Sequence, residues 1–184
     1  MVMDADTIQK LNLESWPLPT EYLVELGRVA AVWADLESFL NLCIGKLVGF
    51  DDVNDPKPFI LVNHAAFPQR LDMLGSLCEQ LVADFPALQD YKEVIARLKE
   101  AQKLRNRYMH HGMHLDEQTG TVQMAVGSAR GTLKVSVDTV AIADVRRAAM
   151  TIHMAMLALY KLVLGRTIAP VWENRRSSVA SEQS

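Results

Sequence analysis

The sequence predicts a mostly α-helical fold: a helical bundle carrying a small antiparallel β-hairpin or meander just before its last helix. Three observations carry this expectation. Apolar residues recur at three- and four-residue spacing over most of the chain. Between Met113 and Val140 the spacing changes to two. Prolines, glycines and turn formers mark the boundaries. No period of about 20–50 residues repeats, which excludes a solenoid. The 184 residues suffice for one domain with a substantial core, expected over residues 1–172 with the β insertion at about 113–140.

The first long helix is expected from Thr20 to Leu47. Its stripe is Tyr22, Leu26, Val29, Trp33, Leu36, Leu40, Ile44 and Leu47. "GFDDVNDPKP" (Gly49 to Pro58) breaks it with turn formers and two prolines. Pro68 opens a second helix, with Leu71, Leu74, Cys78, Leu81 and Phe85 on one face, and "DFP" closes it at Pro86. A third helix follows from about Leu88 to His111, with Gly112 expected as its left-handed cap.

The meander then alternates Val122, Met124, Val126 and Leu133, Val135, Val137, punctuated by "EQTG" and "SARG". The last helix, roughly Ala143 to Leu164, is apolar almost all round, which suits a central position or burial against another subunit. "ENRRSSVASEQS" reads as a disordered tail over 173–184.

Composition narrows the function. Hydrophobic residues make up 49% and charged residues 22%, as in ordinary globular proteins. The formal net charge of −3 gives no global attraction to nucleic acid, so any polyanion site must be a local patch. Cys43 and Cys78 stand among apolar residues, and buried free thiols in a reducing, cytoplasmic compartment are expected. "MVMDADTIQKLN" lacks the basic-then-apolar pattern of a secretion signal. The most apolar stretch, Ala148 to Leu164, is interrupted by Thr151, His153 and Lys161 and falls short of the ~20 residues of a membrane span. No membrane partner is expected.

The stretch "LRNRYMHHG" (Leu104 to Gly112) stands out at the end of the third helix. Helices favour basic residues in the last turn, where the dipole is negative, and that accounts for its composition. It does not account for Arg105. On a helix turning about 100° per residue, Tyr91, Leu98 and Arg105 lie on one line of the apolar face. A guanidinium buried there needs an acid and several acceptors around it. Glu37, at the edge of the Trp33–Leu40–Ile44 stripe, is its expected partner across two helices. Asn106 and His110 share a face beside the stripe. Arg105 and His110 are about 140° apart on a regular helix, so they converge only if the helix loosens or a second subunit supplies one of them.

"Arg105-Asn106-x-x-x-His110", at the end of a long helix and followed by glycine, resembles the R-x4-6-H signature of HEPN domains. The upstream "VWADLESFL" (Val32 to Leu40) is similar to a helix of such proteins. The resemblance covers roughly residues 20–112 and 143–165. It implies a HEPN-like helical homodimer and, as in many members, metal-independent RNA cleavage of toxin or phage-defence type, with an antitoxin protein as a further partner. Other members have lost catalysis and bind nucleotides or proteins, and that is the alternative reading. In a third, Arg105 and Glu37 merely tie two helices together. The chain departs from the family's pattern in the extra His111 before Gly112 and in the β insertion, so His110 and His111 both remain candidates to face the site.

Metal-free RNA cleavage needs a base for the ribose 2′-OH and a cation for the charge on the phosphorane. On this resemblance Arg105, His110 and Asn106 are the catalytic candidates. His110 is the base, Arg105 or Arg107 holds phosphate, and Asn106 orients the imidazole or a phosphate oxygen. Arg107, Lys103 and His111 are substrate-binding candidates, although charges such as Lys99 and Lys103 more often form a solvated face. No cofactor is expected. "HHGMH" lacks the spacing and the further ligand of a metal site, so no metal is expected either. His153 reads as a satisfied core residue, and Trp33 and Tyr108 as core packing ahead of base stacking.

Overall fold

A computed structural model of the chain describes residues 16–52, 55–128 and 134–173. The fold is mostly helical, with a three-stranded antiparallel sheet ahead of the last helix, as expected. Helix α1 (Thr20–Leu47) buries Val29, Trp33, Leu36, Leu40 and Ile44, and Tyr22, Leu26 and Leu47 flank them half-buried. The segment read only as a break carries a short helix, α2 (Lys57–Val62). Its prolines do not prevent it, because Pro56 precedes the helix and Pro58 lies in the first turn, where no helical N–H is needed. Pro58 rests on Gly45 of α1, where an added Cβ would lie 2.6 Å from the proline ring.

Helix α3 (Phe67–Leu81) buries Leu71, Leu74 and Cys78, and Gln69 Oε1 accepts the Ala66 N–H at its start. Phe85 is not on that face. The helix stops four residues earlier, and Phe85 is exposed beside Pro86. A 3-10 turn (Pro86–Leu88) separates it from α4 (Tyr91–Met109). Helix α4 is therefore shorter at both ends than the periodicity predicts. Gly112 is also not its cap: the glycines with positive φ among the described residues are Gly49, Gly120 and Gly165. The left-handed cap is Gly165, which ends α5 (Ile142–Leu164).

Strands β1 (Met113–Asp116), β2 (Thr121–Ser128) and β3 (Lys134–Thr139) pair in that order, with Met113 opposite Met124 and Val137 opposite Ala125. Val122 and Met124 point into the core. Val135 and Val137 oppose Gly127 and Ala125 on the other face, and both are exposed. Leu133, most of the "SARG" turn and the tail beyond Glu173 lie outside the described residues.

Helices α1 and α5 run in the same direction. Tyr22 Oη donates to the Val140 carbonyl at 2.8 Å near their starts, and Phe39 stacks on Tyr160 near their ends, with ring centroids 5.2 Å apart. Helix α5 is long and apolar enough, by length and composition, to cross a membrane. Its Val145, Ala148, Ile152, Ala155 and Leu159 form part of the bundle core, while Met150 and Met154 stay exposed.

Candidate functional site at the end of α4

The site lies where α4 unwinds. Met109 is the last helical residue, and His110 is the C-cap at φ −116° and ψ 0°, its N–H still reaching the Asn106 carbonyl. The His110 ring reaches back along the helix to Arg105. Its Nε2 lies 2.5 Å from Arg105 Nη1, and the same Nη1 donates to Asn106 Oδ1 at 3.1 Å. Arg105, Asn106 and His110 thus converge within one chain. They do so although a regular helix would set Arg105 and His110 about 140° apart.

Arg105 lies on the apolar face, as the spacing predicts, but its partner is not Glu37. The guanidinium sits over the buried Trp33 ring, 5.6 Å from the centroid, and is itself half-buried. A cation over an indole face gains about 0.5–2 kcal/mol, which offsets part of the cost of leaving water. Glu37 pairs instead with Arg70 of α3, whose other guanidinium nitrogen donates to Asn41 Oδ1 at 3.0 Å. Arg70 is 7% exposed and also faces the Phe67 ring. Phe67 in turn packs on Trp33 with ring centroids 4.5 Å apart. The acid–arginine pair between helices that the sequence called for therefore exists, between α1 and α3, one aromatic layer away from Arg105.

The remaining candidates divide by partner. Arg107 pairs with Asp138 of β3 at 2.9 Å, which ties the sheet to the end of α4 and leaves the cation partly neutralised. Lys103 lies 3.6 Å from Glu100 on the same helix. His111 Nδ1 donates to the Arg107 carbonyl at 2.9 Å, satisfying an orphan acceptor of the helix end. Of the two adjacent histidines, His110 therefore faces Arg105, and His111 caps α4. Tyr108 and Trp33 are buried and serve packing.

Two charged groups went unnoticed in the sequence, Arg70 and Glu25. Both lie on apolar stripes, Phe67–Arg70–Leu74 and Tyr22–Glu25–Val29, so the rule that singles out Arg105 marks them too. Glu25 is 2% exposed, and its Oε1 accepts from Arg28 and from two nitrogens of Arg146. Burial pushes this carboxyl up. The hydrogen bonds and charges of Arg146 and Arg28 outweigh that, and they hold it below its ordinary value.

The thiols are unsuited to nucleophilic work. Burial pushes Cys78 up to about 11 and raises Cys43 further still. His153 is buried on α5 with Nε2 accepting from the Val171 N–H at 3.4 Å, and burial lowers its proton affinity. It is a satisfied core histidine. Among the described residues no three His, Cys, Asp or Glu side chains gather as a metal-binding group. The chain matches no protein-family model, no curated protein and no solved structure.

The chemistry available at the end of α4 is that of an exposed imidazole next to a guanidinium and a carboxamide. Arg105 supplies a fixed positive charge with planar donors that fit phosphate or carboxylate. His110 supplies an imidazole, whose ring nitrogens can donate or accept a hydrogen bond. Both face solvent at one end of the bundle.

Proposed function

We propose that the chain is a HEPN-like protein acting as a metal-independent endoribonuclease of toxin or phage-defence type. The observation that carries this reading is the convergence of Arg105, Asn106 and His110 at one solvent-facing helix end. In the proposed reaction His110 takes the proton of a ribose 2′-OH. The 2′-oxygen bonds to phosphorus, the bond to the 5′-oxygen breaks, and the leaving oxygen takes a proton. Arg105 stabilises the charge that builds on the phosphorane. A two-fold homodimer that sets two such helix ends face to face would supply the second imidazole as acid, and the exposed Met150 and Met154 of α5 offer apolar surface for association. An antitoxin protein would be the further partner.

The second reading is a catalytically inactive HEPN-like dimer that binds nucleotide or protein through the same cluster. One observation favours it: the His110 nitrogen that a base needs already lies against Arg105. Incubating the pure protein with mixed RNA and mapping the ends separates the two. Defined ends carrying 2′,3′-cyclic phosphate support the nuclease, and intact RNA supports the binding module.

A further inference from the structure

A guanidinium does not give up its proton, so in the contact between Arg105 Nη1 and His110 Nε2 the arginine donates and the imidazole accepts. The ring is then neutral and carries its hydrogen on Nδ1. The nitrogen that would accept a 2′-OH proton is occupied, and the site as it stands is closed to base catalysis. Arg105, by contrast, is only partly satisfied. Nη1 serves both Asn106 and His110, while no acceptor among the described residues meets Nη2 or Nε. The Arg105 guanidinium carbon lies 5.6 Å from the Trp33 ring centroid, and a turn of the group about that carbon keeps this contact.

We infer that the phosphodiester of the substrate is itself the switch: it draws Arg105 off His110 and so frees the base only where a phosphate is bound. An anionic phosphate oxygen adds the attraction of opposite charges to the hydrogen bond that a neutral acceptor offers a guanidinium, and the planar fork fits it bidentately. The first contact falls on Nη2, and rotation over Trp33 then brings Nη1 onto the phosphate. Asn106 and Trp33 act as positioning residues for this turn. The inference rests on the reading of the cluster as a phosphate site, and it adds that His110 is silent until the site is filled.

The test follows the imidazole nitrogens of the full-length protein by long-range nitrogen–proton NMR, with His110 assigned from its loss in His110→Gln. Oligothymidylate is the probe, because it carries phosphodiesters but no 2′-OH and is not cut by this chemistry. Without the probe, His110 is expected as the neutral Nδ1–H tautomer with Nε2 accepting a hydrogen bond. Titration moves the Nε2 resonance saturably. In Arg105→Gln the resonance starts away from its wild-type position and no longer responds. A ligand-free His110 protonated on Nε2 overturns the inference, as does saturable binding, or RNA cleavage in a parallel assay, with the His110 resonance unmoved. The phosphate-site reading survives the latter outcome. Absence of any saturable binding overturns both.

Discussion

His110 Nε2 and Arg105 Nη1 lie 2.5 Å apart although the two residues are five positions apart in sequence. Helix α4 ends at Met109, one residue before the histidine, and no left-handed glycine caps it. A regular final turn would hold the two groups on different faces.

His110→Ala is expected to abolish RNA cleavage while changing stability by no more than about 0.5 kcal/mol, since the ring is exposed. Arg105→Ala abolishes cleavage too, with a loss of about 1 kcal/mol from the contact with Trp33. His111→Ala leaves cleavage intact and costs about 0.5–1 kcal/mol through the lost helix-end hydrogen bond. Chelator has no effect. Gel assays of RNA ends beside urea unfolding measure all of these, and cleavage that survives His110→Ala rejects the mechanism.

Glu37 belongs to Arg70. Glu37→Ala should cost about 3 kcal/mol or more, because it strands a buried guanidinium. A double-mutant cycle should give a coupling above about 1 kcal/mol for Glu37 with Arg70 and within about 0.5 kcal/mol of zero for Glu37 with Arg105. The reverse order of couplings would restore the partnership expected from the two helical wheels.

Acid should destabilise the protein in two stages. His153 is held below its ordinary value of 6.5, so the unfolded chain binds the proton first and stability begins to fall as pH drops below 6.5. Glu25 is also lowered, so its contribution is full above 4.5 and disappears as pH falls through its lower folded value. Urea midpoints measured against pH should lose the upper stage in His153→Phe and the lower one in Glu25→Gln. A profile of the Glu25→Gln variant that still matches wild type below 4.5 contradicts the assignment.

Three glycines separate the helix ends from the helix contacts. Gly45→Ala places a methyl 2.6 Å from Pro58 and should cost about 1–3 kcal/mol. Gly165→Ala meets no neighbour but sits at φ 67°, which costs about 1 kcal/mol. Gly112→Ala meets no atom within 4 Å and has no positive φ, so it should be neutral or stabilising by up to about 1 kcal/mol. Thermal melts rank the three, and a large loss at Gly112 would contradict the cap assignment.

The helices and the meander were legible because periodicity reports burial directly: Val29, Trp33, Leu36 and Leu40 are buried as their spacing requires. Arg105 was legible for the same reason, as a charge on an apolar stripe. Asn106 and His110 were instead joined to it by the resemblance of the motif, since a regular helix sets Arg105 and His110 on different faces. The partner of Glu37 was not. Two helical wheels show which faces are apolar but not which helices touch, and α3 supplies the arginine that α4 seemed to offer. Gly112 misled because a glycine after a basic helix end fits a left-handed cap in composition, whereas the chain here turns directly into β1. The short helix α2 was hidden by its own prolines, which break a helix interior but not a first turn.

The parallel placement of α1 and α5 has a consequence for how the chain is made. The bond from Tyr22 to Val140 closes a loop of 118 residues, and that from Arg146 to Glu25 one of 121. A ribosome adding about 5–20 residues per second therefore leaves α1 without its main partner for on the order of ten seconds. During that time the part of its apolar stripe that α5 covers is open to water, and the Glu25 carboxylate has Arg28 but not Arg146 as a partner. The nascent chain is most vulnerable to aggregation in that interval, and a holdase that recognises "VAAVWADLESFL" would protect it until the last helix arrives.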